Sequence, residues 1–328
     1  MISGAHRALM APQEPSPNAG RAMLKTPLAM NHLRQSVMAV PPLARTSDGR
    51  IDAAGNAAII RHIEAGGVRL LLYGGNANLY HLPLDEYEPL LALLAATAGP
   101  ETLVVPAAGP TYGLLLEHAR MLRGSGFPTA MVLPQQGITT SAGVATGIRR
   151  FAEAAGMPAL VYVKHDGFLE PCDVASLVND GLVSGIKYAT VRPDPAHDPY
   201  LRELVGLVDP RLVISGIGEQ PAIVHLRDFG LGGFTTGCGC VAPRLSQRLL
   251  AAAVAGRWDE AERIRRIFEP LEDLRNAISP IRVLHEAVAA AGVADTGPLL
   301  PLLDVVEQAH RPAIAAAARA LLAANGPG

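Results

Sequence analysis

Lysine is almost missing from this chain of 328 residues: among 28 basic residues only Lys25, Lys164 and Lys187 carry an amine. A guanidinium stays protonated and cannot attack a carbonyl, so any imine chemistry is confined to those three positions. A coding bias toward arginine would give the same ratio, and position along the chain must therefore decide which lysine matters. Cysteine is equally scarce, with Cys172, Cys238 and Cys240 forming neither an even framework nor a CxxC pair. That excludes a disulfide scaffold and fits reduced thiols in a cytoplasm. The formal net charge of -2 gives no field to attract nucleic acid or an anionic membrane. Charges, Gly or Pro break every apolar run short of eighteen residues, so no transmembrane helix is expected. Residues 1–30 lack both hydrophobic periodicity and a signal-peptide core, and read as a flexible N-terminal tail carrying Lys25.

Hydrophobic residues make up 49% of the chain, rich in Ala and Leu with 4% aromatics, which suits close helix packing. The length permits two domains or one large barrel. From Ser36 onward, short β-like runs alternate with amphipathic helical stretches: SVMAV from Ser36, VRLLLY from Val68, TLVVP from Thr102, TAMVL from Thr129, ALVYV from Ala159, VSGIK from Val183, LVISG from Leu212 and GGFTT from Gly232. Eight βα units at roughly thirty-residue spacing predict a (β/α)8 TIM barrel over 31–250. A doubly wound open sheet would put a Gly-rich phosphate loop after its first strand, where this chain has PPLARTSDGR. Each of the first four helical stretches ends in Gly, which predicts left-handed caps. Residues 251–328 show only helical patterns, including PLLPLLDVVEQAH and RPAIAAAARALLAA, and read as a C-terminal helical extension that supports assembly rather than chemistry.

In such a barrel the site is built on the C-terminal strand ends. Those ends gather GGNAN (Gly74 to Asn78), Tyr162, Lys164, His165, Asp166 and Lys187, followed by Ser215 to Gly218 and Phe234 to Gly237. Lys187 follows Gly185 and Ile186 into an apolar mouth, where desolvation lowers an amine pKa toward what an imine-forming lysine needs. A lysine that simply snorkels to water is the competing reading. Lys164 lies two residues beyond Tyr162 and so on the same strand face, where its cation could depress the Lys187 pKa or pair with substrate. His165 is an acid-base candidate or a loop residue. Cys238 and Cys240 have no clustered His or Cys partner, and no metal or organic cofactor is expected.

GGNAN, LVYV ending near Tyr162 and GIKYAT around Lys187, with LPLDEY from Leu82 opening the helix after the first of them, resemble in order and spacing the dihydrodipicolinate synthase and N-acetylneuraminate lyase family of class I, pyruvate-type aldolases. The resemblance spans about Ser36 to Glu307. It implies a lyase in which Lys187 forms the imine with a 2-oxo acid such as pyruvate and Tyr162 relays protons. Gly75 and Asn76 fall where two threonines hold the carboxylate, a task that backbone N–H groups and the Asn76 amide could take over. Gly216 and Phe234 would join Lys164 and His165 in walling the substrate. A homo-oligomer, tetramer or dimer, is implied as well. The pattern also departs from the synthase: Leu133 to Gly137 hold no tyrosine, and Lys164 to Phe168 no arginine. That argues against dihydrodipicolinate synthesis and toward aldol cleavage, condensation or dehydration of a 2-oxo-3-deoxy sugar acid, with a ligand-sensing or structural homologue as the alternative. GGNAN lacks the Lys and Ser/Thr of a P-loop, ISGIGE from Ile214 resembles the family's small-residue wall beside the substrate, and a flavin- or nucleotide-binding barrel, the third reading, would require a phosphate site after the last two strands.

Overall fold

The computed structural model describes residues 23–326. Eight strands, β1 Met38–Ala39, β2 Leu70–Tyr73, β3 Leu103–Ala108, β4 Ala130–Val132, β5 Ala159–Val163, β6 Val183–Tyr188, β7 Val213–Ser215 and β8 Gly233–Thr236, pair in parallel in that order. The sheet closes where Met38 of β1 aligns with Thr235 of β8, giving the expected barrel. Parallel strands are covered on both faces, which is why β2, β3 and β5 are buried along their whole length and read as unbroken apolar runs.

Helix α1 (Met30–Gln35) precedes the barrel, and each strand is followed by a helix: α2 Ala53–Ala65, α3 Tyr87–Thr97, α4 Tyr112–Leu122, α5 Ser141–Ala155, α6 Pro171–Asn179, α7 Pro199–Leu207, α8 Ala222–Asp228 and α9 Pro243–Val254. Their starts are set by side-chain caps. Asp52 accepts from Ala54 N–H, Thr140 from Gly143 N–H and Asp198 from Leu201 N–H, each satisfying a first-turn donor that the helix leaves open. Beyond the barrel, α10 (Trp258–Ala277), α11 (Pro280–Ala290) and α12 (Arg311–Ala324) pack on one another, with α10 also against α8 and α9.

Four expectations change. A left-handed Gly closes α5, where Gly156 is at φ 68, and α2, where Gly67 just past the cap Gly66 is at φ 85. Helices α3 and α4 instead leave through extended Ala98 and Arg123, whose N–H groups already bond Leu94 and Ala119 carbonyls. PLLPLLDVVEQAH is not helical, because Pro298 and Pro301 lack amide donors and push the preceding residues out of the helical region. It is an ordered strap instead, with Val306 buried and Arg282 donating to the Asp304 and Val305 carbonyls at 2.9 and 2.6 Å. The boundary at 250 falls inside α9, which packs on α2 as the eighth barrel helix. Most of the expected 1–30 tail lies outside the described residues, but Met23 and Leu28 are buried and Leu24 N–H donates to the Thr102 carbonyl at 2.9 Å. From residue 23 the chain is bound to the barrel.

The loop after β1 is pinned by one buried side chain. Asn56 of α2 donates to the Ala44 and Asp52 carbonyls at 2.9 and 2.7 Å and accepts from Ala44 N–H at 3.0 Å. Asn56→Ala would strand the buried Ala44 groups, and we expect a loss of about 2 to 3 kcal/mol in unfolding free energy. A lowered urea midpoint at unchanged slope checks this.

Candidate active site

Strand register brings the two expected chemical groups together. Tyr162 on β5 aligns with Lys187 on β6, and both side chains enter the barrel mouth. Lys187 is buried at 7% exposure, and its stem crosses Gly216, where an added Cβ would sit 2.9 Å from Lys187 Cγ. The amine then rests 4.1 Å from the centroid of the Tyr162 ring. Burial first, and the nearby cations of Lys164 and Arg275 second, bring the Lys187 pKa down to about 7. Near neutrality a substantial fraction of this amine is therefore unprotonated and nucleophilic. Burial pushes the Tyr162 phenol up, so it keeps its proton, and its hydroxyl has no hydrogen-bond partner among the described residues.

The loop after β2 supplies the opposing wall. Asn78 turns it back in the left-handed region at φ 57, a conformation asparagine tolerates better than most residues. The backbone N–H groups of Gly75 and Asn76 make no hydrogen bond among the described residues, and both residues line the cavity. Asn76 Nδ2 is tied to the Val40 carbonyl at 3.1 Å, so one of its amide hydrogens is already used. The Asn76 carbonyl accepts from His285 Nε2 at 2.9 Å, and burial lowers the His285 pKa to about 4, which keeps the ring neutral with its proton on Nε2.

Lys164 stands at the rim, its Nζ 5.7 Å from the centroid of the Tyr80 ring, and desolvation by burial lowers its pKa. It has no carboxylate partner among the described residues. The neighbouring Asp166 pairs instead with Arg192, in two bonds of 2.6 and 2.7 Å, and Arg192 also reaches Asp198 at 3.2 Å. That network ties the β5 loop to the β6 loop and leaves the Lys164 charge free. The cavity these residues enclose measures about 260 Å³.

Two expected wall residues lie elsewhere. Phe234 is buried at 1% exposure and does not line the cavity, because successive residues of β8 face opposite sides of the sheet and Thr235 takes the inward place. His165 sits beyond Lys164, outside the cavity, with Nδ1 3.2 Å from the Asp166 carbonyl and its ring edge-on to Phe168. Conversely, Tyr80, Arg275 and Ser279 line the cavity without a signal in the sequence, and Thr235 does so from the expected Phe234 to Gly237 rim. Arg275 comes from the extension that was expected to serve assembly. Cys238 and Cys240 are buried thiols, Cys240 held at about 12 by desolvation. Glu219, Cys238 and Glu272 do converge within 4.8 Å, but Arg275 Nη1 already supplies the cation there, 3.0 Å from Glu272 and 3.9 Å from Cys238 Sγ.

Residues 34–321 match the model of the dihydrodipicolinate synthetase family. The 4-hydroxy-tetrahydrodipicolinate synthase of Methylococcus capsulatus is 27% identical over 283 residues, covering 81% of this chain and 94% of that protein. Among solved structures, the Ruminococcus gnavus sialic acid aldolase with its catalytic lysine mutated superposes with a TM-score of 0.80 at 15% identity, over 90% of this chain and 98% of that one. The Escherichia coli prophage protein YagE, in complex with pyruvate, gives a TM-score of 0.75 at 19% identity, over 87% and 98% of the two chains. With a barrel closed in this order and the family match running over most of its length, the chain belongs to the dihydrodipicolinate synthetase family.

Proposed function

We propose that the protein is a Schiff-base-forming lyase acting on a 2-oxo acid, and the observation that carries this is a buried Lys187 amine with a pKa near 7 against the Tyr162 ring. The amine attacks the C2 carbonyl carbon, and the resulting carbinolamine expels its oxygen as water after taking a proton from the Tyr162 hydroxyl. In aldol cleavage the phenolate left on Tyr162 takes the C4 hydroxyl proton, C4 becomes a carbonyl, and the electron pair of the C3–C4 bond moves onto the protonated imine to give the enamine. In dehydration that phenolate takes a C3 proton to form the enamine, which then expels the C4 hydroxyl as water with the proton returned from Tyr162. The free N–H groups of Gly75 and Asn76 receive the C1 carboxylate. No step calls for a metal or an organic cofactor. The known function of relatives in this family as lyases supports the class, and the pyruvate complex of YagE supports the 2-oxo acid.

Dihydrodipicolinate synthesis is not the activity proposed. The loop after β4 offers Pro134, Gln135 and Gln136 where a tyrosine would be needed, and the loop after β5 offers no arginine. Aldol cleavage or condensation and dehydration remain two outcomes of the same enamine. We place the enzyme in the cytoplasm as a homo-oligomer, tetramer or dimer. No described helix is long and apolar enough to cross a membrane.

Borohydride added with pyruvate should fix a covalent adduct on Lys187, seen as added mass on its peptide, and Lys187→Arg should abolish it. An unmodified protein across a panel of 2-oxo acids would sink the lyase reading in favour of a ligand-sensing homologue. Tyr162→Phe should slow imine formation by about 10²-fold or more while leaving the adduct detectable at long times. Because the depressed pKa belongs to a base, the reactive neutral form accumulates as pH rises. Trapping rates should climb through an inflection near 7 and level off above it. Lys164→Met removes one neighbouring cation, so the inflection should move to higher pH.

A further inference from the structure

Among the described residues lining the cavity, the ionisable ones are Lys164, Lys187, Arg275 and the phenols Tyr80 and Tyr162, with no carboxylate. Arg275 is the one fixed most firmly. Its Nη1 donates to Glu272 Oε1 at 3.0 Å and its Nε to the Pro280 carbonyl at 3.4 Å. Glu272 is itself fastened, accepting at Oε2 from the Glu219 and Gln220 N–H groups at 3.0 and 3.1 Å. The guanidinium lies flat on Gly237 at the end of β8, where an added Cβ would come within 2.4 Å of Nη2. That Nη2 has no hydrogen-bond partner among the described residues, although every other part of the side chain is spoken for.

A rigidly held guanidinium whose Nη2 alone is open offers charge-assisted donors from that one nitrogen, which suit a carboxylate better than a hydroxyl. Glu272 balances the guanidinium charge but offers Nη2 no acceptor. Glu219, fully buried and hydrogen-bonded by Thr236 and Ser246, has its pKa raised by burial and by Glu272, which disfavours a second negative charge there. Lys164 contributes an uncompensated cation from the rim, so the field inside the cavity stays positive. A neutral polyol tail could accept from Nη2 but would leave the positive field without a counter-charge. The cavity of about 260 Å³ admits only a small molecule.

We propose that Arg275 reads a second carboxylate at the far end of the substrate, so that the 2-oxo acid taken at Lys187 is a short dicarboxylate. This rests on the imine reading for the near end of the molecule, and it assigns specificity to the C-terminal extension rather than to the β5 loop.

The test compares 2-oxoglutarate with 2-oxopentanoate, equal in carbon count and differing in the far carboxylate, by borohydride trapping on the full-length protein. The wild type should reach half-maximal trapping with 2-oxoglutarate at a concentration at least about tenfold lower. Arg275→Lys, which keeps Glu272 paired, and the double variant Arg275→Gln with Glu272→Gln, which leaves no unpaired buried charge, should both shrink that ratio to about threefold or less. Thermal melting reports whether each variant is folded. A wild-type ratio near one, a ratio that survives in both folded variants, or a ratio lost only in Lys164→Met overturns the proposal. If no 2-oxo acid is trapped, the imine reading fails separately, and calorimetry with glutarate and pentanoate decides alone. Glutarate binding that is lost in the Arg275 variants upholds Arg275 as the carboxylate anchor, and absence of glutarate binding to the wild type ends it.

Discussion

Desolvation of one amine organises this molecule. A lysine in water is an ammonium at neutral pH and inert toward carbonyls, and the protein must remove water from around Lys187 without giving it a carboxylate that would restore the charge. The closed barrel does the first, by placing β6 with apolar neighbours on both sides and Gly216 under the lysine stem. The second is done by exclusion. Asp166 is drawn off to Arg192, and Glu272 is turned toward Arg275 and the backbone of Glu219 and Gln220. The acidic groups near the mouth are all committed elsewhere, and the cations left beside Lys187 depress its pKa further.

The barrel was legible because its strands are buried on both faces, which writes them as short apolar runs at even spacing; six of the eight runs contain the observed strand, and β3 and β6 extend past theirs to Ala108 and Tyr188. Lys187 and Tyr162 were legible for a related reason: a strand-end lysine after an apolar run is rare in a chain with so few lysines. Lys164, Gly75, Asn76 and Gly216 also reach the cavity, since they sit at or just past strand ends whose direction the alternation fixes.

What escaped the sequence came from long-range packing. Arg275 stands three residues after Glu272 in a helix rich in both charges, a spacing shared with the exposed pair Arg257–Glu260 and the half-buried pair Arg265–Glu262, and only the fold buries this one fully. His285 looked like an ordinary helix residue, yet it holds the Asn76 carbonyl across 209 positions. Phe234 was misplaced by a single step of strand alternation, the smallest error that reverses which face a side chain occupies. The proline-broken strap after α11 was read as a helix on its apolar content alone, against the rigid backbone of Pro298 and Pro301.

The route of the chain through α10 and α11 sets an order of events during synthesis. Every strand of the barrel leaves the ribosome before Arg275 and His285 do, so a nascent barrel can close around Lys187 while the β2 loop lacks the His285 bond and the mouth lacks its fixed guanidinium. The mouth is therefore complete only once the extension docks, and not when the barrel strands pair. The amine spends that interval in a site that is walled but unfinished.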